Sequence, residues 1–293
     1  MAMRYVLITT ARNEEQYLEE TIHSVIRQTV LPLRWVIVSD GSTDRTEEIV
    51  AKYLPDHPWM DLLALPGRAE RSFSGKADAF NRGLGRIDSL DYEYIGNLDA
   101  DVSFGEDYFA YLLGELDRDP ELGVAGTDYV EGDFHSFRDS YISENHVNGQ
   151  IQMFRRACFD QIGGYLAIPY GGIDWVAVTT ARMKGWKTRS FSDRVFNHLR
   201  RMGTEGTNVL GARFHYGKKD YFLGGHPLWQ IFRSTFQMTK KPYVLGGTLL
   251  LAGYLWASAT MEKQVPEDLE RFHRGEQMKR LRGIFTGTGN RNG

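Results

Sequence analysis

Two aspartates one residue apart mark where this chain could do chemistry. In "IGNLDADVSF" an apolar run ends on Asp99 and Asp101. Carboxylates held a few ångströms apart repel, so solvent, a basic partner or a bound cation must compensate. Oxygen ligands of this type suit Mg²⁺ or Mn²⁺. A divalent cation shared with a diphosphate would cancel the repulsion and stabilise a leaving group. Lys76 follows Gly75 at an expected helix N-terminus, a position that favours a diphosphate. Asp40, in "SDGSTD", ends a second apolar run, where a nucleobase edge could be read or a turn and helix cap formed.

The elements that must position these groups follow from hydrophobic periodicity. "RYVLIT", "RWVIVS", "DLLAL" and "YEYIGNL" read as strands, with single helices between them. The first helix, Glu14–Thr29, carries Leu18, Ile22, Val25 and Ile26 at helical spacing, and Thr43 or Asp44 is the expected cap of the second. Strands joined by single helices imply parallel crossovers and a doubly wound sheet, which binds ligands beyond its C-terminal strand ends. Four such exits carry the polar residues: Thr9–Glu14, Ser39–Asp44, Pro66–Lys76 and Asp99–Asp101. Residues 120–200 read as α+β, with "GVAGTDYV", "GQIQMFRR" and "KTRSFS" as strands and "DWVAVTTARMKG" as a helix.

"ITTARNEEQYLEETIHSVIRQT", "VIVSDGSTDRT", "GKADAFNRG", "LDADV", "FRRACFDQIGGY" and "GGIDW" occur in the order found in family 2 glycosyltransferases. The chain resembles that family over roughly residues 4–200. The resemblance implies an inverting enzyme with an α/β GT-A fold: a Rossmann-like domain with a mixed, mainly parallel sheet, followed here by a C-terminal helical extension. It implies a nucleotide-diphospho-sugar donor and a divalent cation, Mg²⁺ or Mn²⁺, as cofactor. Asp101 becomes a metal ligand, with Asp99 nearer the ribose or a metal-bound water. Asp40 meets the uracil or ribose, with Ser42 in the same loop; Thr10, Ala11, Arg12 and Asn13 cover the base, and Glu14 is the acid opening the first helix. Lys76 and Asp78 stand near the nucleotide. Inverting transfer needs a base for the acceptor hydroxyl, and the family implies Asp174, which as a helix-start residue could equally be a cap. The family usually places Glu before that Asp; this chain has Ile173. Trp175 would stack on a sugar or fill the core, His198 would make a further metal or diphosphate contact, and Arg200 and Arg201 would face the acceptor.

The whole chain fits this scale of enzyme: 293 residues, 42% hydrophobic and 25% charged, support a real core. A formal net charge of −3 gives no sign of a nucleic-acid partner. One cysteine, Cys158, rules out an internal disulfide. Met1 leads directly into a strand-like run too short for a secretory signal, so a cytoplasmic location is expected, at the inner face of the plasma membrane if the acceptor is lipid-linked rather than a free saccharide. The expected organisation is a catalytic domain over 1–200, with a nucleotide half to about 101 and an acceptor half over 102–200. A helical extension over 201–285 and a disordered tail over 286–293 would follow. Tyr243–Ala259 falls short of the about 20 residues of a spanning helix. Residues 240–261 are therefore expected to pack on protein or to make a peripheral membrane contact, flanked by Lys240, Lys241, Tyr243, Tyr254 and Trp256. Two rivals carry less. A sugar-phosphate nucleotidyltransferase needs a Gly-rich basic loop where "TTARNEE" stands. A catalytically silent nucleotide-sugar-binding subunit has only the Ile173 departure in its favour.

Overall fold

The computed structural model describes residues 3–67, 73–136, 143–168, 171–200 and 209–286. Arg201 and residues 287–293 lie outside them; Thr286, the first residue of the expected tail, instead ends the last helix. The chain divides into two compact units, Met1–Pro169 with Ile173–Arg200 and Tyr170–Gly172 with Arg201–Gly293.

The first unit begins with four strands and the three helices between them: β1 (Tyr5–Ala11), α1 (Leu18–Ile26), β2 (Arg34–Asp40), α2 (Thr46–Tyr53), β3 (Met60–Leu65), α3 (Phe73–Leu84) and β4 (Tyr94–Leu98). There follow β5 (Val102–Ser103), α4 (Tyr108–Arg118), β6 (Leu122–Glu131), β7 (Phe134–His135), β8 (Ile151–Arg155), α5 (Arg156–Ile162), α6 (Ile173–Met183) and β9 (Lys187–His198). The strand order is β3-β2-β1-β4-β8-β6-β9-β5, with β7 paired to β6. From β3 to β4 every pairing is parallel. Strand β8 enters antiparallel between β4 and β6, and β9 returns parallel to β6. The mixed, mainly parallel sheet expected from the sequence is the one found.

Alternation along the strands splits the core between two faces. Tyr5, Leu7, Trp35 and Ile37 join Leu18, Ile22, Ile49, Phe109 and Leu112 of α1, α2 and α4 in one fully or nearly fully buried cluster. Ile8 and Val38 point the other way, and α3 packs so closely there that a Cβ on Gly83 would lie 2.9 Å from Ile8 and 3.0 Å from Val38. Each buried large apolar side chain contributes about 1.5–3 kcal/mol, so the sheet's C-terminal edge is held rigidly from both sides.

The second unit contains α7 (Val209–Phe222), α8 (Pro227–Met238), α9 (Leu245–Thr260) and α10 (Glu267–Thr286). Helix α9 runs against α7 and α8 through glycines: a Cβ on Gly253 would lie 2.1 Å from the Phe214 carbonyl, and one on Gly247 2.2 Å from that of Ser234. Among the described residues, no helix is long and apolar enough to cross a membrane.

Candidate active site

The turn from Asp99 to Asp101 is fixed before any side-chain chemistry begins. Asp99 N donates to the Gln150 carbonyl at 2.8 Å, tying β4's exit to the entry of β8. On the other side, the fully buried Thr21 of α1 donates to the carbonyls of Ala100 (2.9 Å) and Val102 (2.8 Å). Strand β5 then pairs with the end of β9, so that Val102 lies opposite His198. Strand β6 flanks the same end of β9, Val130 opposite Asn197, which places Glu131 beside the imidazole. His198 consequently lies between two carboxylates, its Nε2 3.5 Å from Asp101 Oδ2 and its Nδ1 3.1 Å from Glu131 Oε2.

The acids are each met by a cation. Arg200 pairs with Glu14 and, through Nε at 3.2 Å, with Asp101, while its guanidinium stacks 5.2 Å over the Tyr17 ring. Lys76 Nζ lies 2.5 Å from Asp99 Oδ1. Burial pushes Asp99 up, and the charge of Lys76 opposes it. For Lys76 burial lowers the pKa, yet Asp99, Asp174 and Asp101 together raise it above its ordinary value. Asp101 goes the other way: burial is outweighed by His198, Arg200 and Lys76, and its pKa is lowered. His198 is raised, because Asp101 and Glu131 overcome the effect of burial.

Asp174 is the second residue of α6, one place inside the helix rather than at its cap. Its side chain lies against Gly149: a Cβ there would stand 2.5 Å from Asp174 Oδ2. Glycine is needed for space. The Gly149 carbonyl accepts from Asn97 Nδ2 at 2.8 Å, and Asn97 precedes Asp99 by two positions on β4. A single run of contacts thus joins the candidate base to the paired aspartates. Gly149→Ala is expected to displace the carboxylate and cut turnover about 10- to 100-fold with donor binding kept. Steady-state kinetics check this, and unchanged turnover would show that the carboxylate does not work from this position.

The remaining sequence candidates lie at strand ends and on α3 and α6. Thr10 and Ala11 close β1, opposite Val38 and Ser39 of β2. Arg12 is half-buried in the turn that follows. Asn13 has φ 56°, a left-handed conformation Asn tolerates. It ties this turn to the next exit, its N donating to Ser42 Oγ (3.2 Å) and its Oδ1 accepting from Thr43 N (2.8 Å). Asp40 ends β2, and Asp78 and Lys76 lie in the first two turns of α3. Trp175 is half-buried beside Asp174 on α6.

Several expectations change. Glu14 precedes α1, which opens at Leu18, and accepts in a turn instead of starting the helix. Helix α2 starts at Thr46, with Asp44 accepting from Thr46 N at 3.0 Å. Arg200, expected toward the acceptor, is held on Glu14 and Asp101. Thr21, Asn97, Glu131 and Gly149 escaped the sequence reading: each acts through a partner at least 25 positions away, and only the buried hydroxyl of Thr21 on an apolar helix face left a local trace.

A family model described as glycosyl transferase family 2 matches residues 6–168. The chain belongs to this family. Poly-beta-1,6-N-acetyl-D-glucosamine synthase of Staphylococcus epidermidis is 32% identical over 112 residues, 38% of this chain and 25% of that protein. The same-named protein of Staphylococcus aureus strain COL is 31% identical over an equal span. The alignment thus spans about a quarter of the length of these curated relatives. Among solved structures, the mannosyltransferase PcManGT from Pyrobaculum calidifontis, in complex with GDP-Man and Mn²⁺, superposes with a TM-score of 0.60 at 18% identity, covering 98% of this chain and 84% of that one. S. aureus TarS 1-349 in complex with UDP-GlcNAc gives 0.56 at 14%, covering 98% and 82%. At these identities the likeness is one of fold, and the fold is GT-A.

In a family 2 domain the donor set can be judged against a divalent cation. Among the described residues no three His, Cys, Asp or Glu side chains stand together at ligating distance. Mg²⁺ and Mn²⁺ at nucleotide sites take one or two protein ligands and complete their shell with phosphate oxygens and water. Asp101 and His198 fit that requirement. Glu131 accepts from Nδ1, so loss of the Nε2 proton turns a lone pair toward Asp101, as in carboxylate–histidine–metal sites. Ile173, where the family usually has an acid, is buried at 6% exposure and anchors the first turn of α6.

Proposed function

We propose that this chain is a divalent-metal-dependent, inverting glycosyltransferase that moves a sugar from a nucleotide-diphospho-sugar to a saccharide or lipid-linked acceptor. Its expected place is the cytoplasm, at the inner face of the plasma membrane where the acceptor is lipid-linked. The observation that carries the reading is the convergence of Asp99, Asp101 and Asp174, from two separate segments, on the Lys76 ammonium. With Arg200 and His198 also on Asp101, the carboxylates are compensated closely enough for a diphosphate to be held beside them.

In this reading Asp174 takes the proton of the acceptor hydroxyl as that oxygen attacks the anomeric carbon. The bond from that carbon to the diphosphate oxygen breaks on the opposite face, its electron pair leaves with the phosphate, and configuration inverts. Asp101 and His198 would hold the divalent ion, which when bound supplies positive charge to the leaving diphosphate. Lys76 and Arg200 keep the neighbouring carboxylates compensated and give the diphosphate an electropositive seat. The loop from Thr10 to Asn13, Asp40 and Ser42 supplies backbone and side-chain groups to the nucleoside, with Asp78 and Asp99 bordering it; Trp175 is assigned to the acceptor side.

Thermal unfolding with UDP or GDP and Mn²⁺ tests the donor half of this proposal. Saturation at a hundredfold excess over Kd adds about 2.7 kcal/mol, so one nucleotide should raise Tm by several degrees and EDTA should remove most of the rise. No stabilisation by either nucleotide in Mn²⁺ would remove the nucleotide-sugar reading.

A further inference from the structure

Helix α9 buries one face and leaves large apolar side chains on the other. Gly246, Gly247, Gly253 and Ala257 are buried, together with Leu250 and Tyr254. Leu255 and Trp256 are 56% and 46% exposed. The loop that leads from α8 into α9 is more open still: Tyr243 and Val244 are each 60% exposed and Leu245 57%. On α8, Phe236 and Ile231 are also exposed.

Charge tells which partner this surface fits. From Pro227 through Met261 there is no aspartate or glutamate, while Lys240 and Lys241 stand immediately before the open tip. Lysines also border the aromatic side chains: Lys240 Nζ lies 5.4 Å from the Phe236 ring centre and Lys218 Nζ 5.0 Å from that of Trp256. Apolar side chains rimmed by lysine and aromatic residues match the acyl–headgroup boundary of an anionic bilayer. With 16 residues, α9 is too short to span, so the match is to an interface.

We propose that the α8–α9 tip, Lys240–Leu245, and the outward face of α9 form a surface that seats in the interface of an anionic lipid bilayer. The proposal stands on these helices alone and does not need the catalytic reading. The test is sedimentation of the full chain with vesicles of phosphatidylcholine, with vesicles of equal parts phosphatidylcholine and phosphatidylglycerol, and without vesicles. Binding is expected to the anionic vesicles and to weaken with salt. Lys240→Glu with Lys241→Glu should reduce partitioning by about 30-fold or more, and Val244→Asp with Leu245→Asp should abolish it. These side chains are exposed, so Tm should stay put. A chain that ignores anionic vesicles overturns the proposal. Self-association without vesicles that Val244→Asp with Leu245→Asp cures also overturns it, since the face would then join two copies. The nucleotide-induced Tm rise, read on the same samples, distinguishes failure here from failure at the active site.

Discussion

Asp174→Asn is expected to bind nucleotide and Mn²⁺ as the native chain does and to transfer sugar at least about 10²-fold more slowly, the usual span for loss of a general base being about 10²–10⁴. The substitution changes almost nothing but the proton affinity. Asparagine has the shape of aspartate and will lie over Gly149 without a clash, in the space left by the absent Cβ. The first turn of α6 keeps Ile173 in the core. One charge near Lys76 is lost, but Asp99 remains paired with that ammonium at 2.5 Å, so the donor seat stays compensated. The loss should therefore appear in kcat, with the donor KM close to native. Titration calorimetry for the nucleotide and initial rates with acceptor separate the two effects. Native turnover in Asp174→Asn would remove this residue as base and leave the family assignment intact. The comparison with Gly149→Ala is informative, because that change keeps the carboxylate and only moves it. A larger loss from asparagine than from alanine identifies the proton, rather than the packing, as the source of the effect.

How much of this was legible beforehand depended on the distance over which each feature is encoded. Strand β1 shows its buried run Tyr5–Ile8 locally, and α1 shows Leu18, Ile22 and Val25 at helical spacing. Such elements, the parallel order they imply and the polar strand ends could be read directly. The Asp99–Asp101 pair was visible for the same reason: an apolar strand ending on two charges is a local anomaly. Its compensation was not. His198 reaches Asp101 only because β5 pairs with the end of β9, and Glu131 reaches His198 only because β6 flanks that strand. Nothing near position 131 announces this. Gly149 is a similar case, since its lack of a side chain matters only once α6 and the entry of β8 are packed together. Arg200 is also encoded at long range: its type marks a partner for acids, but only the fold decides that Glu14 and Asp101 are the acids it meets.

The second large effect is expected at Asp101. Asp101→Asn should bring transfer down by about 10³-fold and abolish the Mn²⁺-dependent part of the nucleotide's Tm rise, whereas excess EDTA should silence the native chain reversibly. The surrounding charges explain why the carboxylate matters more than its size. Asparagine would still fill the turn, but Arg200 and His198 would lose the anion they share and keep only Glu14 and Glu131, so a cation brought there would meet two positive groups and no carboxylate of its own. The pH dependence gives an independent reading. Asp101 and Glu131 raise the pKa of His198. A raised histidine contributes stability that is present in full below its unfolded pKa of about 6.5 and is lost as pH climbs through the higher folded value. In EDTA the native chain should thus lose stability over that range, and Asp101→Asn should lose less, having lost the partner that raises the imidazole most. With Mn²⁺ the slope reverses for the native chain alone. The ion competes with the Nε2 proton, so its binding strengthens as pH rises and releases a proton. Tm measured against pH in EDTA and in Mn²⁺, for both chains, checks all four expectations. Identical slopes with and without the ion would mean that His198 does not share it with Asp101.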